Sequence, residues 1–208
     1  SASDASSGHE LWAHDTSNSS TWRVADISSI SGSAIEVSVN PGQYMEVLVG
    51  DTLYFDATDG SSGYELWAHD TSNGSTWQVA DIRYGAAGSY PGWYMSILVG
   101  DTLYFDANYA ISGFELWAHD TSNASTWQVA DINSGTGHSY PGLYLGIFVG
   151  DTLYFGATDG SGGYELWAHQ PNEITSLGGG SGSGASGMTN VTSATSCTTS
   201  PGLPLGLS

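Results

Sequence analysis

The chain has 208 residues, with 2 Lys and Arg in total against 21 Asp and Glu, for a formal net charge of −19. So few bases cannot displace the counterions of a phosphate backbone or engage an anionic bilayer, which excludes nucleic acid and acidic membrane surfaces as partners. Only 11% of residues are charged, so the acidity reflects missing bases more than a dedicated acidic face, and the surface reads as Ser, Thr, Asn and Gly.

No apolar run approaches the roughly 18 residues of a membrane-spanning helix, and no membrane insertion is expected. The chain opens at Ser1 with neither Met nor a signal-peptide pattern, which reads as a processed form or a fragment. A lone Cys197 in a polar tail gives no disulfide framework.

The first predicted strand is "HELWAH", His9–His14. Three units of similar content follow, Thr21–His69, Thr76–His119 and Thr126–His169. Each reads as four short strands of the form "TW…ADI", "…LV", "TLYF" and "ELWAH", rich in residues that suit a pleated surface. "VGDTLYF" recurs from Val49, Val99 and Val149, so the period is about 50 residues, and no window carries a helical period.

The turns are explicit. Gly100-Asp101 separates two strands by two residues, a hairpin signal. Tyr90-Pro91-Gly92 places Pro and Gly as a type II turn requires. Asp70-Thr71-Ser72-Asn73-Gly74 reads as the joint between one unit and the next.

These spacings predict an all-β fold of tandem four-stranded antiparallel units, arranged as propeller-like blades. Neighbours must cover both faces of each unit, which explains why the adjacent Leu66 and Trp67 are both apolar. On this count there are three complete units and an orphan strand at His9–His14. An orphan strand leaves backbone groups unpaired. Three outcomes follow: a fragment of a larger propeller, a ring completed by several chains, or a fibre joined head to tail, and completion between chains through His9–His14, as a homo-oligomer or a fibre, is the favoured expectation.

In "ELWAHD", "VADI", Pro-Gly and "VGDTLYFDATDGSSGYELW" the chain resembles the ELWxxDGT-repeat family over residues 4–173. The resemblance implies a propeller-like arrangement in a secreted or surface protein, and it carries over no catalytic residue. The chain departs from that pattern with "DTS" in the turn, and with Ala80 and Ala130 where a basic residue is common.

Asn18, Asn73, Asn123 and Asn190 each begin an Asn-x-Ser/Thr sequon, the first three in the same turn of successive units, and are candidate N-glycosylation sites. Tyr90, Trp93 and Tyr140 in the Pro-Gly loops are candidate sugar-stacking residues, against the alternative that they pack between units. Asp56 to Glu65 spaces oxygens in a way that suggests calcium, but the EF-hand spacing is absent. Asp59 is better read as bonding its own turn.

Glu and His of each "ELWAH" lie about 13 Å apart along a strand, too far to share one metal. No zinc spacing, nucleophile elbow or phosphate loop occurs, so no catalytic residue, metal or cofactor is expected.

Residues 174–187 read as a Gly/Ser linker after the 1–173 repeat domain, and 188–208 as a Ser/Thr/Pro-rich tail. The expected function is a non-enzymatic, glycosylated, extracellular or cell-surface protein with a structural or adhesive role. The alternative is a carbohydrate-binding, lectin-like propeller.

Overall fold

The computed structural model of the chain describes residues 1–4, 8–30, 39–170 and 188–190. Among these residues the fold is all-β and antiparallel, with one helical turn, and the strands form four separate sheets. The first sheet holds β1 (Ala2–Asp4), β2 (Gly8–Asp15) and β3 (Ser20–Ala25), and is followed by the helical turn α1 (Ile27–Ile30). The second holds β4 (Glu46–Val49), β5 (Thr52–Thr58), β6 (Tyr64–Asp70) and β7 (Ser75–Ala80). The third holds β8 (Ser96–Val99), β9 (Thr102–Tyr109), β10 (Gly113–Asp120) and β11 (Ser125–Ala130). The fourth holds β12 (Gly146–Val149), β13 (Thr152–Ala157), β14 (Glu165–His169) and β15 (Met188–Asn190).

This strand pairing corrects the expected frame of the repeat. The "STW" strand does not open the next unit. β7 pairs antiparallel with β6 across the Thr71–Gly74 turn, in the register Ala68↔Trp77 and Asp70↔Ser75, and β11 pairs with β10 in the same way. A four-residue connection between apolar strands makes a hairpin, and the true boundary is the longer segment 81–95. The orphan strand is corrected with it. β2 pairs with β3 from Leu11 to Asp15 and with β1 from Gly8 to Glu10, so His9–His14 belongs to a three-stranded sheet and is not left over from it. In the fourth sheet the "STW" position is taken by β15, out of the Ser/Thr-rich tail, with Ala168 opposite Thr189. The rest of the expected linker and tail, Cys197 included, lies outside the described residues.

The sheets stack face to face in chain order, because strand alternation gives each two apolar faces. Between the second and third sheets, Tyr54, Leu66 and Ala68 meet Leu103, Phe105, Ala107 and Trp117. Between the third and fourth, Tyr104, Leu116 and Ala118 meet Leu153, Phe155 and Ala157. Ile27, Val39, Phe55, Ala57 and Trp67 fill the first contact, with Leu11, Ala25 and Leu53 against them. Burying a side chain of this size contributes about 1.5–3 kcal/mol, so the stacking faces are the main source of stability.

Buried carboxylates hold the segments between sheets. Glu65 Oε2 accepts the Ile82 N–H at 2.8 Å and the Ser89 hydroxyl at 2.6 Å, while Oε1 accepts the Ser89 N–H at 2.9 Å. Asp106 Oδ1 accepts the Tyr94 and Met95 N–H groups, both at 2.8 Å. The segment 81–95 is thus pinned to the sheet before it and the sheet after it. Where the backbones of β6's leading turn and this segment cross, a Cβ on Gly63 would lie 2.4 Å from the Gly88 nitrogen, so only glycine fits.

Candidate functional site

The Pro-Gly loops gather the aromatic residues into a row along one edge of the stack. Trp93 stacks on Tyr44 of the preceding loop with centroids 4.6 Å apart and planes within 8°. Tyr90 meets Trp93 edge-on at 5.2 Å and stacks on Tyr64 at 5.6 Å. Phe114 links this group to the next, touching Trp93, Tyr94 and Tyr140. Tyr140 also stacks on His138.

Of the candidate sugar-stacking residues, Tyr90 and Trp93 therefore sit together and Tyr140 belongs to the following cluster. One indole face of Trp93 is taken by Tyr44, yet 43% of the residue remains exposed. Tyr90 and Tyr140 both hold positive φ (52° and 48°), uncommon for bulky residues and a local backbone strain. Tyr44, Tyr64 and Phe114 complete the row. Their alternate positions in strands and loops gave no sequence signal of it.

Asn18, Asn73 and Asn123 lie at exposed hairpin tips, and each closes its own turn. Asn73 Nδ2 donates to Asp70 Oδ2 at 2.6 Å, and Asn73 Oδ1 accepts the Ser75 N–H at 2.8 Å. The same pair of bonds recurs at Asn18 with Asp15 and Ser20, and at Asn123 with Asp120 and Ser125. Bonds from Ser17, Ser72 and Ser122 lower the Asp15, Asp70 and Asp120 carboxyls below the usual aspartate range. Asn190 is part of β15. This aspartate–asparagine clamp is a structural role for the repeated "DTSN" that the sequon reading passed over.

Asp59 behaves as the turn reading expects: Oδ1 accepts the N–H groups of Ser61 and Ser62, both at 2.8 Å. Burial pushes its carboxyl up, but those N–H groups and the two serine hydroxyls outweigh it and leave the group lowered. Among the described residues, no three His, Cys, Asp or Glu side chains gather as a metal site.

The groups most displaced from their ordinary acidity are the architectural ones. Burial pushes Glu65 and Glu115 up to about 7, Asp106 to about 7 and Asp56 to about 6, against opposing hydrogen bonds from the amides they hold. His69, His119 and His169 are lowered by burial. The first two accept or donate through Nδ1 to Thr76 and Thr126 at 2.8 Å. Strongly shifted carboxyls mark many active sites, but here each repeats with the unit and faces backbone amides rather than a cleft.

The two ends of the stack differ from its middle. The outer face of the fourth sheet exposes Leu145, Ile147, Val149 and Leu166, whose counterparts in the inner sheets pack into the clusters. Leu166 is 40% exposed, against 0% for Leu66 and Leu116. At the other end, a groove of about 320 Å³ opens between the first and second sheets, lined by Leu11, Trp12, Ala13, Trp22, Leu53 and His69 among others. No protein-family model matches the chain, and no curated protein matches it.

Proposed function

We propose that the chain is an ELWxxDGT-like repeat protein of propeller-like blades. In this reading it acts as a non-enzymatic, extracellular structural or adhesive subunit of a larger assembly. The observation that carries this reading is the outer face of the fourth sheet. It presents to solvent the residue positions that every inner sheet uses for stacking. Patches of this kind mark interaction surfaces. The blade reading is supported by contacts of β8 with both β4 and β12, the edge strands of the neighbouring sheets. The extracellular reading rests on the exposed sequon turns and on a surface poor in bases.

Light scattering over a range of concentrations tests the assembly, alongside the double substitution Ile147→Asp and Leu166→Asp. The expected result is self-association that the double substitution abolishes. A monodisperse monomer at all concentrations would refute it.

The second reading is a carbohydrate-binding propeller, favoured by the exposed rim of Trp93 within the aromatic row. Saturable binding on a glycan array that is lost with Trp93→Ala would select it. A structural subunit shows none.

A further inference from the structure

We propose that Asn73 is a site of spontaneous deamidation, and that its conversion to aspartate and isoaspartate unfastens the hairpin between β6 and β7. The reacting pair is the Asn73 side-chain amide and the Gly74 backbone nitrogen. The reaction needs only water, so it stands apart from the assembly reading.

The three hairpin tips share one geometry and differ in one residue. Asn18, Asn73 and Asn123 each accept through Oδ1 the N–H of the residue two positions on, at 2.8, 2.8 and 2.9 Å. That bond folds the side chain forward over the intervening peptide, whose nitrogen is the nucleophile. It also aims a backbone donor at the oxygen that gains negative charge when the amide is attacked. The intervening residue is Ser19, Gly74 or Ala124, and Asn73-Gly74 is the single Asn-Gly pair in the chain. Gly74 has no Cβ to obstruct the turning of its nitrogen toward Asn73 Cγ. Its φ is 76°, and nothing lies within 4 Å of where a Cβ would stand. Asn73, Gly74 and Ser75 are all exposed, so water reaches the site.

One bond opposes the reaction. The Gly74 N–H donates to the Asp70 carbonyl at 2.8 Å and must open before the nitrogen attacks. Opening involves only the exposed Thr71–Gly74 tip, and exposed tips are the first parts of a fold to open.

The Gly74 nitrogen gives its proton to hydroxide and attacks Asn73 Cγ. The bond from Cγ to Nδ2 breaks, Nδ2 takes a proton from water and leaves as ammonia, and a cyclic imide remains. Water then opens the ring. Attack at Cγ gives aspartate, and attack at the backbone carbonyl carbon gives isoaspartate, with the chain running through Cγ. Water is consumed, ammonia is released, and nothing is oxidised.

Both products lose the donor that closes the turn, since Asn73 Nδ2 donates to Asp70 Oδ2 at 2.6 Å. In aspartate, a carboxylate oxygen takes its place and repels the Asp70 carboxylate. In isoaspartate, an extra carbon enters a main chain whose length sets the register Asp70↔Ser75. Either product also destroys the sequon.

The test is incubation at mildly alkaline pH of the whole protein, made in a host without N-glycosylation. Peptide mapping that separates aspartate from isoaspartate then reads each site. Conversion at Asn73 should run at least about tenfold faster than at Asn18 or Asn123, a difference of about 1.4 kcal/mol in barrier. Hydroxylamine, which attacks the imide, should cut the chain between Asn73 and Gly74; an uncut chain rules the imide out. The converted form, isolated by anion exchange through its added charge, should lose hydrogen-exchange protection at the Ser72, Gly74 and Ser75 amides. Ser122 and Ser125 in the third sheet should keep theirs.

Two variants exchange the reactivity. Gly74→Ala should slow Asn73 to the rate of Asn123. The tip accepts alanine in the third sheet, where Ala124 holds φ of 60°, so this variant is expected to fold. Ala124→Gly should raise Asn123 to the rate of Asn73. Equal rates at the three tips of the unaltered protein overturn the site. Rates that do not follow the exchanged glycine overturn the mechanism, and a converted tip that stays fully protected overturns the unfastening.

Discussion

Glu115 accepts the Ser139 hydroxyl at 2.7 Å, a bond that joins one sheet to the segment leading to the next across 24 positions of sequence. The same carboxylate accepts the N–H groups of Ile132 and Ser139, at 2.7 and 3.1 Å. Glu115→Ala strands these buried donors, and each stranded group costs about 1–3 kcal/mol. The expected loss is about 2–4 kcal/mol, allowing for partial relaxation. Glu115→Gln keeps one acceptor and should lose less than half as much. Urea unfolding of both variants checks this; equal losses would show that the hydrogen bonds are not what the glutamate contributes.

The same buried carboxyls set the direction of pH dependence. Glu65, Glu115 and Asp106 rise to about 7 and Asp56 to about 6 on folding, so the folded chain holds protons that the unfolded chain has released. Their contribution is fully present below about pH 4 and is lost as pH rises through 6 to 7. The lowered histidines act oppositely. Their contribution is present above about 6.5 and fades as pH falls through their depressed values. The exposed, lowered Asp15, Asp70 and Asp120 contribute above about 3.8 and fail in stronger acid. Thermal melts are expected to show a higher Tm at pH 5 than at pH 8, with Glu65→Gln and Glu115→Gln flattening the difference. Working at ~0.5 M salt screens the net charge of −19, which would otherwise favour low pH by itself. A Tm that climbs from pH 5 to pH 8 would contradict the assignment.

The repeat, its strands and the two-faced stacking were legible in the sequence, because apolar periodicity and a 50-residue recurrence are local and additive signals. The frame of the unit was not. "ELWAHDTSNGSTWQV" reads equally as a joint or as a hairpin, and loop length decides: the Thr71–Gly74 turn is short enough only for adjacent strands. The purpose of the recurring Glu was hidden too. The donors to Glu65 come from residues 17 and 24 positions later, a separation no periodicity exposes. Val39 shows the cost of losing a partner. It occupies the position of Ser89 and Ser139, with its N–H on the His9 carbonyl as theirs are on Tyr64 and Phe114. It has no hydroxyl to give, so Glu10 Oε2 keeps the Ile27 N–H at 3.0 Å but lacks the serine hydroxyl that Oε2 of Glu65 and Glu115 accepts.

The hairpin tips separate a structural from a glycan role for Asn73. Asn73→Ala removes the bonds to Asp70 and to the Ser75 N–H, and in protein made without N-glycosylation it should cost about 1 kcal/mol, as lost turn hydrogen bonds do. Ser75→Ala destroys the sequon equally but keeps the backbone N–H, and should be neutral to within about 0.5 kcal/mol. In protein from a glycosylating host, either change should remove one glycan from the intact mass. Equal stability of the two unglycosylated variants would leave the clamp without energetic weight.

Ala124 has φ of 60° at the tip where Gly74 has 76°, a left-handed backbone that glycine adopts without steric cost. Ala124→Gly should therefore stabilise the third sheet's hairpin by about 0.5–1 kcal/mol, against the loss expected at an ordinary position. The sequon at Asn123 is kept, so chemical denaturation reads the backbone term alone. A destabilised variant would show that the turn does not hold this conformation in solution.

Gly156 stands where Asp56 and Asp106 stand, and the fourth sheet consequently lacks the carboxylate that holds the linker before it. The backbone frame is unchanged: the Gly142 N–H reaches the Gly156 carbonyl at 2.9 Å, as the Gly92 N–H reaches Asp106 at 2.8 Å. A Cβ at Gly156 would meet nothing nearer than the Leu145 nitrogen at 3.8 Å, ordinary contact, so an aspartate fits. Gly156→Asp should give the Tyr144 and Leu145 N–H groups an acceptor and reduce unfolded-chain entropy. One opposing cost applies: the desolvation that raises the Asp56 and Asp106 carboxyls above the usual aspartate range, smaller here because the outer face is open. The net expectation is a gain of about 1 kcal/mol at pH 5. The gain should shrink toward pH 8 as the new carboxyl loses its proton. Hydrogen exchange should show new protection at Tyr144 and Leu145. Protection without added stability would mean that desolvation cancels the bonds, and neither effect would mean that the linker does not take up the Asp106 arrangement.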